Sequence, residues 1–243
     1  MTNPEFYIIN TPRHAPHDAP GHPADVPDLA AIYFSAFHDN PVAMACFPAS
    51  SPACRDFIAA SFTEEMADPR AHWLVVTDPD APESPDQPIA CAKWVRPAAA
   101  AAIAAGEPNV HPPPAIDAWP KEGDPAFADR FFGGINRRHA EIMADVPHYY
   151  LELIVCRTEH QGKGAASPLL RWGCERADED GLLAFLEAVP AARPVYERYG
   201  FRALDRLEVA APGGGVVTQV FMLREGRAAD DYGRVVTGLG KSE

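Results

Sequence analysis

A glycine-containing octet between an apolar run and an amphipathic segment is the feature that most constrains the fold of this chain. Tyr149–Cys156 is apolar apart from Glu152, which is typical of a central strand buried on both faces. The octet His160–Ser167 follows, and residues 165–180 then have helical periodicity up to Gly181, a residue type that commonly ends helices in the left-handed conformation. This succession of strand, glycine loop and helix predicts an α/β fold.

The remaining segments predict the same fold class, an α/β domain with a mixed sheet. Strands are predicted at Phe6–Asn10, His72–Thr77, Ile89–Val95, Leu182–Val189, Ala203–Val209 and Val216–Arg224, with hairpins joining the second to the third and the fifth to the sixth. Helices are predicted from near Pro27 and over Arg55–Met66, Ala98–Gly106, Ala126–Ala144 and Pro194–Tyr199. Asp25 is expected to cap the first helix, and Gly133-Gly134 to interrupt the fourth.

The proline clusters between these segments are interpreted as loops and not as interdomain linkers, because neither flank of any cluster forms an independent fold pattern. A single domain over residues 1–243 is therefore expected, with a loosely held polar tail at 227–243.

The composition excludes several classes of function. A net charge of −13 repels nucleic-acid phosphates and anionic membranes, and it weakly favours a cationic acceptor such as an amine. No apolar run approaches the roughly eighteen residues needed to span a bilayer, and Met1–Thr11 lacks the pattern of a signal peptide. The five cysteines are widely spaced without a Cys-x-x-Cys pair, so neither a metal site nor a disulfide framework is expected. The plain prediction is a cytoplasmic protein that binds no nucleic acid, membrane or metal.

The octet has the chemistry of an anion site. Backbone N–H groups at the start of a helix lack intrahelical partners, and the helix dipole adds positive charge there. Gly162 and Gly164 remove the Cβ atoms that would block a pyrophosphate. A Walker A loop is excluded because Ala165 stands where its lysine belongs. A dinucleotide fingerprint is weakened because Ser167 replaces its third glycine, although Glu187 supplies its acidic residue. A glycine turn that binds no ligand remains the other alternative.

Three segments resemble the GNAT superfamily of N-acetyltransferases. Gln161-x-x-Gly164-x-Ala166 matches its Gln/Arg-x-x-Gly-x-Gly/Ala signature. The helix segment Leu-Leu-Arg-Trp-Gly-Cys-Glu-Arg-Ala and the later Pro-Val-Tyr-Glu-Arg-Tyr-Gly-Phe follow at the family's expected positions. The likeness is strong over Tyr149–Val209, and over Asp25–Pro48 the chain resembles the first helix of fungal-type members. The resemblance implies the GNAT fold, a mixed and mostly antiparallel central sheet flanked by helices, with acetyl-CoA as co-substrate.

The resemblance also implies which residues hold acetyl-CoA. The backbone of Ile154–Cys156 would lie against the pantetheine arm like an added strand, and the loop amides would bind the pyrophosphate. The implied binding residues are Ile154, Val155, Cys156, Gln161, Gly162, Lys163, Gly164, Ala165, Ala166 and Ser167. Two positions depart from the family pattern. Thr158 stands where many members have proline, and Val189 stands where many have an asparagine that contacts the coenzyme, which puts that contact in doubt.

In a site of this family the amine attacks the thioester directly, so no Ser or Cys nucleophile is required. The sequence agrees, because it has neither a Gly-x-Ser-x-Gly elbow nor a credible Cys–His pair. Tyr196, four residues before Gly200, is implied as the acid that protonates the leaving thiolate. A phenol with a pKa of about 10 can share a proton with a thiol of about 8.5. The alternative is that an aromatic of this segment only packs, a role that better suits Tyr199.

Two carboxylates are candidates for the base that deprotonates the amine. Glu152 and Glu187 each lie inside a buried-strand pattern, where a carboxylate is costly unless it is paired or used. Glu152 is favoured because it precedes the residues implied to hold pantetheine. The non-catalytic alternatives are that Glu152 faces the surface and that Glu187 forms a structural ion pair with a cation such as Arg193. A water chain competes equally as the base.

The acceptor is predicted to be a primary amine of a small molecule. A protein amine acceptor, or a coenzyme-binding module without activity, are the alternatives. Residues 97–147 exceed the minimal fold, and their aromatic residues need somewhere to be buried. Because this insertion leads into the strand that carries Glu152, we expect it to cover the acceptor side as a lid and to set acceptor choice.

Overall fold

A computed structural model shows how these segments fold. It describes residues 6–8, 25–78, 87–99, 102–103, 105–110, 112 and 114–226. The predicted tail at 227–243 lies outside the described residues, as do the end of the predicted strand Phe6–Asn10 and parts of the predicted helix Ala98–Gly106.

The described helices and strands follow the predicted order, with one addition. The strands are β1 Phe6–Ile8, β2 Ala71–Thr77, β3 Pro88–Val95, β4 His148–Cys156, β5 Leu183–Ala188, β6 Arg202–Ala210 and β7 Val216–Arg224. The helices are α1 Val26–Ala36, α2 Pro41–Cys46, α3 Pro52–Met66, α4 Pro125–Ala128, α5 Gly134–Met143, α6 Ala166–Asp180 and α7 Arg193–Glu197. The addition is α2, whose six residues are too few to give a periodic pattern.

Polar side chains set the start of three of these helices. The side chain of Asn40 caps α2, that of Ser51 caps α3 and that of Asp124 caps α4, each by accepting a hydrogen bond from a backbone N–H of the first turn. Asp25 stands at the cap position of α1 as predicted, but its side chain makes no capping hydrogen bond within the described structure. Proline in the first turn of α1, with its fixed φ, favours that start instead.

The described strands form a mixed sheet in the order β1-β2-β3-β4-β5-β7-β6. The pairs β1–β2, β2–β3, β5–β7 and β6–β7 are antiparallel, and β4–β5 is parallel. Both predicted hairpins are therefore confirmed. The mixed, mostly antiparallel sheet flanked by helices also confirms the predicted fold class.

The chain divides into two compact units, and β4 contributes residues to both. The first unit comprises Met1–Val95 and Glu152–Trp172, and the second comprises Arg96–Leu151 and Gly173–Glu243.

Contacts with β3 fix both flanks of the glycine loop in the first unit. Past the end of β4, the backbone N–H of Arg157 donates to the Ile89 carbonyl at 2.8 Å, and its Nε donates to the Pro88 carbonyl at 2.9 Å. On the other flank, buried Trp94 donates from Nε1 to the Leu169 carbonyl in α6 at 3.0 Å. The loop is thus held between two anchored elements.

A π-helical turn joins α4 and α5 in the second unit. The turn, Asp129–Gly133, lies where the glycine pair predicts an interruption, and it lets the helix continue instead of ending. A Cβ at Gly134 would lie 3.2 Å from Cδ2 of Leu207 in β6, so glycine there permits close approach of α5 to the sheet. Trp119 and Phe131, which also belong to the insertion, are buried.

The burial of β4 differs from the prediction. Tyr149, Leu151 and Val155 are buried, but Glu152 is exposed and Ile154 is only half-buried. The strand is therefore not buried on both faces along its whole length. Apolar composition alone does not distinguish a fully covered strand from one whose second half has a covered and an open face.

Candidate functional site

The loop that follows β4 presents a run of backbone donors. Gly162 and Gly164 have φ angles of +73° and +91°, in the left-handed region that favours glycine. In the described part of the chain, the amides of residues 162–165 donate no hydrogen bond, and α6 begins directly after them at Ala166. Successive unpaired N–H groups at the positive end of a helix dipole form an anion site.

Two predicted loop residues make bonds within the protein. The backbone N–H of Ser167 donates to the Gly164 carbonyl at 2.9 Å, so the run of unpaired amides ends before the predicted limit. Gln161 donates from Nε2 to the Cys156 carbonyl at 3.2 Å and thereby ties the loop to the end of β4. Lys163 is exposed and adds positive charge beside the loop amides.

Part of β4 lies beyond its register with β5. The parallel pairing runs from His148↔Leu183 to Leu151↔Leu186, which covers four of the nine residues of the strand. The predicted pantetheine-binding residues Ile154, Val155 and Cys156 come after that register.

Two of the cysteines, Cys156 and Cys174, are unsuited to nucleophilic catalysis. Cys156 is half-buried, and burial raises the pKa of its thiol to about 11, with Glu159 adding to the rise and Lys163 opposing it. Cys174 is buried, and burial likewise raises its pKa to about 11. Both remain thiols at neutral pH, in agreement with a reaction that needs no cysteine nucleophile.

Tyr196 lies in α7 and is buried. Its ring makes an edge contact with Phe201, at 6.2 Å between centroids, and burial raises the pKa of the phenol to about 12. Tyr199, for which a packing role was expected, is only half-buried, so Tyr196 is the more buried of the two tyrosines. Tyr196 therefore keeps its proton at neutral pH and can act as a hydrogen-bond donor.

Glu187, in β5, is part of a polar network in the second unit. Its side chain is 7% exposed, and Oε2 accepts a hydrogen bond of 2.8 Å from the Tyr150 hydroxyl. Its Oε1 lies 3.7 Å from Nδ1 of His139, a residue of the insertion. Arg193, the example of a cation that could pair with Glu187, pairs with Glu197 at 2.6 Å.

A buried histidine pair extends this network and was not foreseen from the sequence. Nε2 of His139 lies 2.7 Å from Nε2 of His148, whose Nδ1 lies 2.7 Å from the Val146 carbonyl. A carbonyl only accepts, so Nδ1 of His148 carries the proton and its Nε2 accepts from His139. Burial lowers the pKa of His148 to about 4 and also lowers that of His139, so both rings are neutral at neutral pH. The sole signal in the sequence is a histidine directly before an apolar run.

Glu152 belongs to a three-membered charge cluster in the first unit. Its side chain is 37% exposed, and Oε2 lies 2.7 Å from Nζ of Lys93 in β3. Lys93 is only 7% exposed and also pairs with Oε2 of Glu65 in α3, at 2.9 Å. The expectation of a buried Glu152 is corrected, since it is Lys93 that is buried. A lone charge in the apolar run Ile89–Val95 is the signal that could have identified Lys93.

The two departures from the family pattern have different surroundings. Thr158 donates from Oγ1 to the Ser35 carbonyl at 2.8 Å, which fixes the turn after β4 without a proline. Val189 is 39% exposed and offers no polar side chain. Among the described residues, no group of three or more His, Cys, Asp or Glu side chains is arranged to hold a metal ion. Within the same residues, no helix has the length and apolar character needed to cross a membrane.

Together, a mixed sheet and a run of unpaired backbone amides between β4 and α6 define an α/β protein with a candidate anion site. The chain matches the Acetyltransferase (GNAT) family over residues 42–201, more than half of its length, and it belongs to that family.

Solved structures share this fold. One from Corynebacterium glutamicum, described as histone acetyltransferase HPA2 and related acetyltransferase, has 19% identity and a TM-score of 0.55, covering 93% of this chain and 97% of that one. An N-acetyltransferase from Staphylococcus aureus has 12% identity and a TM-score of 0.53, with 92% and 99% covered. NAA60 from Arabidopsis thaliana in complex with acetyl-CoA has 13% identity and a TM-score of 0.51, with 92% and 98% covered.

Members of this family use acetyl-CoA, and the residues of this chain fit that group. The coenzyme carries a pyrophosphate, whose oxygens accept hydrogen bonds and bear negative charge. The unpaired amides of residues 162–165, at the start of α6, are donors of the matching kind. Lys163 is exposed in the same loop and adds a positive charge.

Proposed function

We propose that this chain transfers the acetyl group of acetyl-CoA directly to a primary amine of a small molecule. The observation that carries the proposal is the run of unpaired amides at residues 162–165, directly before α6, in a chain of the acetyltransferase family. The remaining predicted roles are assigned around this coenzyme site.

We propose that the coenzyme binds through backbone groups. The amides of residues 162–165 bind the pyrophosphate, and the backbone of Ile154–Cys156 pairs with the amide-containing pantetheine arm. The position of Ile154–Cys156 after the β4–β5 register supports this role. Backbone recognition also explains how the site can dispense with the polar side chain that Val189 lacks.

In the proposed reaction the amine nitrogen attacks the thioester carbonyl carbon, and the carbon–sulfur bond of the tetrahedral intermediate then breaks. The proton of the amine passes to a base, for which we favour Glu152, because its side chain is accessible. Glu187 is the alternative, supported by its contacts with Tyr150 and His139. A water chain is the third possibility.

Tyr196 is proposed to meet the leaving sulfur. Its pKa of about 12 lies above that of a thiol, about 8.5, so complete proton transfer to the thiolate is uphill. The phenol therefore contributes chiefly by donating a hydrogen bond to the developing thiolate as the bond breaks.

We propose that the chain is a single fungal-type acetyltransferase domain. We also propose that its insertion at residues 97–147 covers the acceptor side as a lid and sets acceptor choice. Two observations support an ordered, functional role for the insertion. It buries Trp119 and Phe131, and its His139 lies 3.7 Å from Glu187. A panel of small primary amines, assayed for CoA release beside peptides with unblocked N-termini, tests the acceptor class. Release with the amines supports the proposal, whereas release with peptides alone points to a protein acceptor.

Gly164→Val is expected to raise the dissociation constant of acetyl-CoA at least tenfold, about 1.4 kcal/mol. A Cβ added there meets no atom within 4 Å, but a valine is strained at a φ of +91°, so the loop must move and its amides lose their alignment. Titration calorimetry measures the constant.

The matched control is Gly213→Val, at a φ of +83° in the β6–β7 connection, where a Cβ also meets nothing within 4 Å. That variant should bind acetyl-CoA normally. Unchanged affinity in a folded Gly164→Val protein would rule out the loop as the pyrophosphate site.

A further inference from the structure

One buried lysine pairs with two carboxylates, and the proposed chemistry assigns it no role. Nζ of Lys93 lies 2.9 Å from Glu65 and 2.7 Å from Glu152, and the lysine is 7% exposed. One carboxylate would suffice to neutralise this ammonium. The second leaves the cluster with a net charge of −1 when all three groups are ionised.

The surplus carboxylate matters when Glu152 accepts a proton. If Lys93 had Glu152 as its sole counter-ion, protonating Glu152 would leave a buried ammonium without a partner, which is strongly unfavourable. With Glu65 ionised, Lys93 keeps a partner while Glu152 holds the proton of the amine. The cluster then passes from −1 to neutral, and no buried charge is left unpaired.

We propose that Glu65 and Lys93 are positioning residues for Glu152. Lys93 orients the base, and Glu65 remains the counter-ion of Lys93 while the base is protonated. This inference rests on the proposed function, with Glu152 as the base. Neither Glu65 nor Lys93 is required to touch the substrate.

The ionisation of Glu65 should therefore control the reaction near neutral pH. Burial raises the pKa of Glu65 to about 7, an effect opposed by Lys93 and reinforced by Glu152 and Glu64. Tyr33, in α1, also faces Glu65, and burial raises its pKa, so it remains neutral. Burial opposes the charge of Lys93, but Glu152 and Glu65 outweigh it, so the pKa of Lys93 is raised and the ammonium persists.

The test compares the pH profiles of kcat/KM for the wild type, Glu65→Gln and the matched control Glu64→Gln, an exposed neighbour on the same helix. We expect an acid limb near pH 7 in the wild type, and Glu64→Gln should retain that limb at a somewhat lower pH, because Glu64 is the smallest of the contributions that raise the pKa of Glu65. In Glu65→Gln, that limb should disappear and kcat/KM at pH 8 should fall about tenfold, less than the roughly 10²-fold loss expected when a general base is itself removed. Adding Lys93→Met to Glu65→Gln should restore part of the activity, because no buried ammonium is then left unpaired.

An activity-independent measurement separates this inference from the proposed function. Because the pKa of Glu65 is raised on folding from 4.5 to about 7, its proton stabilises the folded state below that window, and this stabilisation is lost as pH rises through it. The stability of the wild type relative to Glu65→Gln, measured by urea unfolding, should therefore decrease between pH 5 and pH 8.

An active wild type whose pH profile is unaltered by Glu65→Gln, or a double variant no better than Glu65→Gln, would overturn the inference and leave the proposed function standing. A wild type that turns over no amine, while the stability difference follows pH as expected, would overturn the proposed function, and the catalytic role of the cluster with it.

Discussion

Tyr196→Phe is expected to lower kcat by roughly 10²-fold, the lower end of general-acid effects, with little change in the affinity for acetyl-CoA. The substitution removes only the hydroxyl from a buried ring, so the contact with Phe201 persists. Because burial raises the pKa of Tyr196 to about 12, the phenol is protonated throughout the assay range, and the defect should be the same at every pH tested. Steady-state assays give kcat, and titration calorimetry on the same preparation gives the dissociation constant of acetyl-CoA.

The matched control is Tyr199→Phe, three residues further along in a half-buried position. This variant should turn over at close to the wild-type rate. If Tyr196→Phe also turned over at that rate, Tyr196 would be a packing residue, and the hydrogen bond to the developing thiolate would have to come from elsewhere.

Glu152→Gln is expected to lower kcat/KM by roughly 10²-fold or more, because glutamine retains the size of the side chain but accepts no proton. The folded state should tolerate the change, since Glu65 remains beside Lys93 at 2.9 Å. The measurement is the rate of CoA release at saturating acetyl-CoA as the amine concentration and the pH are varied.

Glu187→Gln decides between the two carboxylates. Its effect should be smaller than that of Glu152→Gln, because the amide can still accept the hydrogen bond from Tyr150. A larger loss in Glu187→Gln would move the base to Glu187 and its histidine neighbours. Normal rates in both variants would leave a water chain as the base.

The framework of the fold was predictable because it depends on local patterns. The apolar run of β4, the glycine loop and Gly181, which has a φ of +66° at the end of α6, are encoded in consecutive residues. The two hairpins were equally accessible, since alternating strands and turn residues lie close together in the chain. The family could also be recognised from sequence motifs alone.

The site was only partly predictable, because its electrostatics arise from contacts between distant residues. Glu152 could be singled out within its strand, but its pairing with Lys93 joins positions on two strands of the sheet. The neutral pair of His139 and His148 depends on how the insertion packs, which its glycines and prolines do not specify. The relative burial of Tyr196 and Tyr199 was misjudged for the same reason, since Tyr196 is buried in α7 whereas Tyr199, in the turn after that helix, is half-buried.

A single experiment tests most directly whether the acetyl group passes from acetyl-CoA to the amine without an acetylated enzyme. Enzyme is mixed with acetyl-CoA and a reactive small amine, and thiol release, the mass of the amine and the intact mass of the protein are followed together. Direct transfer predicts that CoA release and acetylated amine appear in equal amounts, that no acetylated protein accumulates, and that Gly164→Val weakens the reaction through binding. Release of CoA without acetylated amine, or an acetyl group retained on a cysteine of the protein, would contradict it.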